Sequence, residues 1–401
     1  MKIIGVPGQT KLLIDVANSG AFNISNSENI EINGVTIDHE QLPFTQGRIL
    51  AVNGQSFDIE IQAGFDEPDA AQFQANIYEG ISSAGFIYKA NADEVKIEDH
   101  NIYVSIAKQT AQKLGPRTWR FLTYNGNLPS FLSAGDRLAL SFIGTNAISS
   151  AMNTNLTLKS VVIHSASYMG VVCLGNRGVT TIDGLQIVPA AGRLLSVNAD
   201  ALHVLESRAQ LILKNSIFKH QGDDALNIKA SSFKVSSVSG ADVVLPRSHL
   251  DFEVGDEVQF TSPFGDMKST AIVTDRLQGE FPKVASIKVE GDLMYVRLDR
   301  IIQGRVFAGD TAFSLNLASP NSVVSNNTYY DYRGSIRFRA YKGAFVKNTF
   351  KFAGFAKILL TVDSYWPEGP WGVTASDISA NTVDGGKLLL YGDDWKLIGE
   401  R

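Results

Sequence analysis

N-A-D-A-L-H-V-L-E at residues 198–206 and H-Q-G-D-D-A-L-N-I-K at 220–229 share one core, Asp-Ala-Leu-X-(Val/Ile), which occupies 200–204 and recurs at 224–228. Between them runs A-Q-L-I-L-K-N-S-I-F-K (209–219), a β-rich segment with turn formers on either side. Asp200 and Asp223 lie 23 residues apart, a spacing inside the ~20–50 residue periods of chains that coil back on themselves. In such a stack neighbouring strands sit ~4.8 Å apart. Asp200, Asp223 and Asp224 then become neighbours in space.

The period extends in both directions. N-G-V-T-I (33–37) returns as K-S-V-V-I (159–163), D-G-L-Q-I (183–187) and K-N-S-I-F (214–218), then as N-T-Y (327–329), N-T-F (348–350) and N-T-V (381–383). Asn tolerates left-handed backbone angles at a corner, and stacked Asn side chains can bond to one another. The pattern predicts an all-β chain: a right-handed parallel β-helix interrupted by two inserted small β-barrel domains. The expected layout is first coils at 1–45, an inserted barrel-like unit at 46–150, and central coils bearing the acids at 151–232. A second inserted barrel-like unit follows at 233–316, then C-terminal coils at 317–401. The insertions are marked by an Asn-Gly hairpin at 53–54, a second hairpin in F-K-V-S-S-V-S-G-A-D-V-V-L (233–245), and Gly-Asp turns before alternating strands. The best helix signal is A-K-Q-T-A-Q-K-L at 107–114, ended by Gly115-Pro116.

Composition narrows the function classes. The 401 residues are 44% hydrophobic and 19% charged, with a net charge of −5, which gives no reason to expect nucleic acid or an anionic membrane as partner. Cys173, the one cysteine, lies in the apolar run M-G-V-V-C-L-G and reads as a buried structural thiol. No stretch approaches the ~20 apolar residues of a membrane span. The start, M-K-I-I-G-V-P-G-Q-T, is too short in apolar residues for a secretory signal, so localisation stays unassigned. P-loop, G-x-G-x-x-G, G-x-S-x-G and C-x-x-C motifs are missing, which weakens nucleotide, serine-hydrolase and redox readings.

Clustered carboxylates suit glycosidic bond cleavage, in which one carboxyl donates a proton to the leaving oxygen and another activates water or attacks the sugar. Mutual repulsion helps one of them keep its proton. Consecutive strand residues point to opposite faces, so Asp223 and Asp224 can share a site only if the backbone turns or bulges, which Gly222 would permit. A lone Gly-Asp-Asp is ordinarily a solvated turn. The chain holds its own comparison at Gly392-Asp393-Asp394, which lacks the N-A-D one coil earlier and the strand pattern after it. A Ca²⁺ site is the other reading of such a cluster.

These motifs resemble the catalytic region of glycoside hydrolase family 110, bacterial exo-acting α-1,3-galactosidases that include enzymes removing the blood-group B galactose. L-P-F-T-Q-G (42–47) resembles that family's passage from the first coils into an inserted barrel, and W-P-E-G-P (366–370) a late-coil segment near its sugar pocket. The arrangement of one Asp followed by an Asp pair is shared with polygalacturonase-like family 28. The resemblance implies an inverting mechanism with Asp223 as general acid, Asp200 and Asp224 holding and activating the water, and no cofactor or metal. It implies a galactose-terminated glycan as substrate and a periplasmic or secreted setting, and leaves room for a homodimer. The chain departs from the family at its start, without a secretion signal and some early coils, and in its short C-terminus.

Further candidates for the pocket are Trp366, to stack on a galactose ring, and Glu368 and Arg333, to bond hydroxyls. Each has a plainer reading: core aromatic, turn acid, surface arginine. His203 and His220 flank the acids as hydrogen-bonding neighbours; no metal-ligand spacing accompanies them. Lys229 would act on the acids through its charge. The competing functions are a family 28-like hydrolase or Ca²⁺-dependent lyase of uronic-acid polymers, and a non-enzymatic carbohydrate-binding fibre protein on the same fold. A uronate pocket needs a rich basic lining, and 198–229 offers only Arg208, Lys214, Lys219 and Lys229.

Overall fold

The computed structural model describes residues 1–74, 83–91, 95, 103–106, 111–123, 128–141, 144–263, 273–330, 336–351, 355–360, 368–370, 377–384, 387–391 and 397–400. The chain is a parallel β-helix. Three parallel sheets run its length, and successive coils add one short strand to each. On the face next to the three aspartates, Phe22–Ser25, Ile148–Ala151, Val171–Leu174, Leu202–Leu205, Leu226–Ser231 and Ile336–Phe338 stack in that order.

Alternation along each strand sorts the side chains. Ile148, Val171, Leu202, Leu226 and Ile336 are in register and buried, as are Cys173, Val204, Ile228 and Phe338. Burial pushes the Cys173 thiol up to about 12, which fits a structural rather than a reactive cysteine. A second face carries inward aromatics. Tyr329 lies 5.3 Å from Phe218 and 5.1 Å from Phe350, ring centre to ring centre, in stacked pairs.

The corners explain the repeated motifs. Gly34, Ser160, Gly184, Asn215, Asn326, Lys347 and Ala380 all have positive φ. In the later coils the left-handed residue therefore precedes the Asn of N-T-Y, N-T-F and N-T-V. That Asn builds a ladder instead. Asn327 Nδ2 donates to Asn348 Oδ1 at 3.0 Å, and Asn348 Nδ2 to Asn381 Oδ1 at 3.1 Å.

Strands between Phe44 and Ser141 form a seven-stranded antiparallel sheet apart from the coils, over a core that includes Ile49, Phe57, Trp119 and Leu138. Its first hairpin, expected to turn at Asn53-Gly54, turns one residue later, at Gly54-Gln55, with Asn53 paired to Ser56 and Gly54 at positive φ. The helix expected at 107–114 does not form where it can be followed. Gln112–Gly115 is a strand paired with Thr118–Leu122, and residues 107–110 lie outside the described residues. Pairing across the tight turn at Arg117, held by bonds from its guanidinium to the Ile61, Gln62 and Phe65 carbonyls, overrides a weak local propensity. Strands between Phe233 and Ser314 make a three-stranded and a four-stranded antiparallel sheet around one further core. Among the described residues no helix is long and apolar enough to cross a membrane.

Candidate active site

The outward residues of the third face stack as the inward ones do. Val172, His203, Asn227 and Arg337 are in register on four successive coils, a span of roughly 14 Å at strand spacing. One end of this row is apolar, and the other is cationic.

The acids sit on the turns that lead into the two middle strands. These turns are bonded back to back. The Gly222 N–H donates to the Val197 and Ala199 carbonyls at 2.8 and 3.1 Å, and the Asp223 N–H to Ala199 at 3.2 Å. A Cβ at 222 would drive into the Asn198 carbonyl oxygen and against the ring of Phe86. Glycine is needed here for close approach, not for a positive φ.

The antiparallel insertion supports the same turns. Phe86 abuts Gly222, and the Tyr88 ring meets His220 edge-on at 5.2 Å. Asn198 Nδ2 donates to Pro43 O at 3.2 Å, and Gln46 bonds both Gly192 O and the Leu194 N–H. The L-P-F-T-Q-G segment thus ties the insertion to the coil carrying Asp200. His220 bonds Leu194 O at 2.8 Å and serves the scaffold.

Asp200, Asp223 and Asp224 each offer one oxygen within 4.8 Å of the others. Asp200 and Asp224 are buried and Asp223 is exposed. Asp200 is gripped at both oxygens: His203 Nδ1 lies 2.6 Å from Oδ2, and the Asp224 N–H donates to Oδ1 at 3.2 Å. Arg337 Nε lies 2.6 Å from Asp224 Oδ2, and Asn227 Nδ2 reaches the same oxygen at 3.5 Å. His203 Nε2 is buried with no hydrogen-bond partner among the described residues. The three acids line a cavity of about 430 Å³ together with His203, Asn227, Lys229, Arg337 and Glu368, and with Asn146, Tyr168, Met169, Val172 and Leu205.

Glu368 arrives from a late coil. Glu368–Gly369 pairs antiparallel with the end of strand Leu226–Ser231. Its carboxylate meets Lys229 Nζ at 2.7 Å, Arg339 Nη1 at 3.0 Å and Arg337 Nη1 at 3.6 Å. Burial would raise this carboxyl, but the charges of Arg339, Lys229 and Arg337 hold it at about 2. Glu368 and Lys229, named from sequence as separate candidates, are partners.

The structure brings together Asp200, Asp223, Asp224, His203, Lys229 and Glu368. Trp366, Arg333 and the Gly392-Asp393-Asp394 comparison lie outside the described residues. Arg337, Arg339 and Asn227 were missed. The signal was present: I-R-F at 336–338 takes the register of L-H-V and L-N-I, two coils after the first and one after the second. A hard cation would find three carboxylates here, but His203 and Arg337 already engage two of them.

No protein-family model matches the chain. It is similar to Alpha-1,3-galactosidase A of Shewanella woodyi, 24% identical over 232 residues, covering 52% of this chain and 38% of that protein. It is also similar to Alpha-1,3-galactosidase B of Akkermansia muciniphila, 21% identical over 396 residues, covering 91% of this chain and 46% of that one. Alpha-1,3-galactosidase B of Parabacteroides distasonis is 30% identical over 120 residues, 27% of this chain and 19% of that protein. The chain therefore spans less than half the length of these curated relatives. Among solved structures, the gp54 tailspike of Acinetobacter baumannii bacteriophage AP22, in complex with capsular saccharide, aligns over 98% of this chain and 64% of that one. The TM-score is 0.18 with 9% identity, too loose to bear on function.

Proposed function

We propose that this chain is an exo-acting glycoside hydrolase of the family 110 type that releases terminal α-1,3-linked galactose with inversion. The observation that carries the reading is the gathering of Asp200, Asp223 and Asp224 from two adjoining coils at one cavity. The similarity to three proteins named α-1,3-galactosidases supports the substrate class.

In this reading Asp223, the acid nearest solvent, donates its proton to the glycosidic oxygen as the C1–O bond breaks. A water between Asp200 and Asp224 attacks C1 from the opposite face and gives up its proton to that pair. His203 and Arg337 hold the carboxylates of Asp200 and Asp224 respectively in position for that water. The product is β-galactose, and the proton balance is restored from solvent.

One distance favours a second reading. Nearest oxygens within 4.8 Å are closer than the ~6.5–9.5 Å usual between the carboxyls of inverting sites and resemble the ~5–5.5 Å of retaining ones. We prefer inversion because Asp200 and Asp224 are both held by cationic or N–H donors and suit a shared water rather than a nucleophile and an acid. The deciding experiment is a panel of 1,3-, 1,4- and 1,6-linked α-galactosides, with and without a fucose branch, followed by NMR of the first-formed anomer. We expect turnover of the 1,3-linkage and β-galactose first. α-Galactose first would establish retention. Sugar binding without any turnover would leave a binding protein, and an unsaturated product lost in EDTA would point to a lyase.

A further inference from the structure

We propose that Glu368 is a positioning residue that acts through Arg337 on Asp224, holding the cationic end of the cavity in charge balance so that Asp224 stays basic. This rests on the hydrolase reading above and adds to it a function for a residue first considered as a sugar-hydroxyl acceptor.

Two routes join Glu368 to one oxygen. Arg337 Nη1 faces Glu368 Oε2 at 3.6 Å while its Nε faces Asp224 Oδ2 at 2.6 Å. Arg339 Nη1 meets Glu368 Oε2 at 3.0 Å and Asn227 Oδ1 at 3.3 Å, and Asn227 Nδ2 reaches Asp224 Oδ2 at 3.5 Å. Arg339 is 0% exposed. A guanidinium so deeply buried needs a counter-charge, and Glu368 supplies it while also taking up Lys229 at 2.7 Å. Without Glu368, Arg337, Arg339 and Lys229 would lose a shared counter-charge beside Asp224, in a cavity whose other titratable groups among the described residues are Asp200, His203, Asp223 and Tyr168. The excess positive charge would weaken Asp224 as a proton acceptor. Both oxygens of Glu368 are engaged by these cations, which leaves it poorly placed to serve a sugar hydroxyl.

The test is the pH–rate profile of Glu368→Gln and Lys229→Met beside the parent, with thermal melts. In Glu368→Gln we expect kcat to fall roughly a hundredfold, KM to stay within about threefold, and the acid limb of kcat/KM to move down by about one pH unit. Lys229→Met should move that limb the opposite way. A rise in KM with kcat and the pH profile unchanged would overturn the proposal, since it is what a sugar-binding Glu368 would give. Shifts of the same sign in both variants would overturn it too. If Glu368→Gln does not fold, the direction of the Lys229→Met shift decides. A ¹³C carboxyl titration of Asp224 separates this proposal from the galactosidase reading. Without turnover of any galactoside, a downward move in Glu368→Gln would still support the charge balance, and an unmoved titration would sink it.

Discussion

Asp223 differs from its two companions in facing solvent. An exposed acid at the end of a turn bears little of the fold, so its replacement separates chemistry from stability. Asp223→Asn should lower kcat at least about a hundredfold with a melting temperature within a degree or two of the parent. Near-normal turnover would remove it from the acid role. The acids themselves were legible in the sequence, because D-A-L-H and D-A-L-N announce equivalent positions one coil apart. Arg337 was not, since residues 233–316 separate its coil from theirs and hide the register. Arg333, the arginine chosen from sequence, lies outside the described residues. Gly222 was legible as a turn residue, and the backbone does bend there, but its second role was not. A one-dimensional reading suggests a turn, whereas the need is for two backbones to touch, and contact across 24 residues cannot be read locally.

At the scale of the coil, stability comes from repetition between layers. Tyr329 is fully buried, with Phe218 on one side and Phe350 on the other. Tyr329→Ala removes the ring contacts with Phe218, Phe345 and Phe350 and leaves a cavity at the middle of the stack, so we expect a loss of about 3–5 kcal/mol. A denaturant titration checks it; a loss under 1 kcal/mol would mean that the stack carries little of the stability. The Asn ladder was foreseeable from N-T-Y, N-T-F and N-T-V because a recurring polar residue inside an apolar pattern needs a partner, and its own copy is nearest. Which neighbour turns left-handed was not foreseeable. Lys347 and Ala380 occupy that position although neither residue type favours it, so the ladder and the inward packing dictate the corner.

For the molecule as a whole, acid should loosen the coils through two buried carboxylates. Glu368 and Asp38 are both depressed to about 2. At Asp38, burial is outweighed by hydrogen bonds from Arg193 and Lys11 and by the Arg193 charge. A depressed carboxyl stabilises the fold above its unfolded pKa, and that contribution disappears as pH falls toward the folded value. From the ordinary 4.5 of glutamate to about 2, the Glu368 share is on the order of 3 kcal/mol at neutral pH. Stability measured by urea should therefore fall between about pH 4.5 and 2. The parent should lose more over that window than Glu368→Gln does; equal losses would show that Glu368 is not the group titrating. Because Glu368 belongs to the late coils and Lys229 to the central ones, the same acid range should also disturb the cavity.

The row Val172, His203, Asn227, Arg337 has a consequence beyond this site. Its rungs are set by main-chain pairing, so the pitch at which side chains are offered to the cavity is indifferent to what those side chains are. Exchanging one outward side chain rewrites a single letter without moving the others. A chain on this frame can thus change what its cavity selects while keeping its ruler, and the place to look for that change is the two ends of the row.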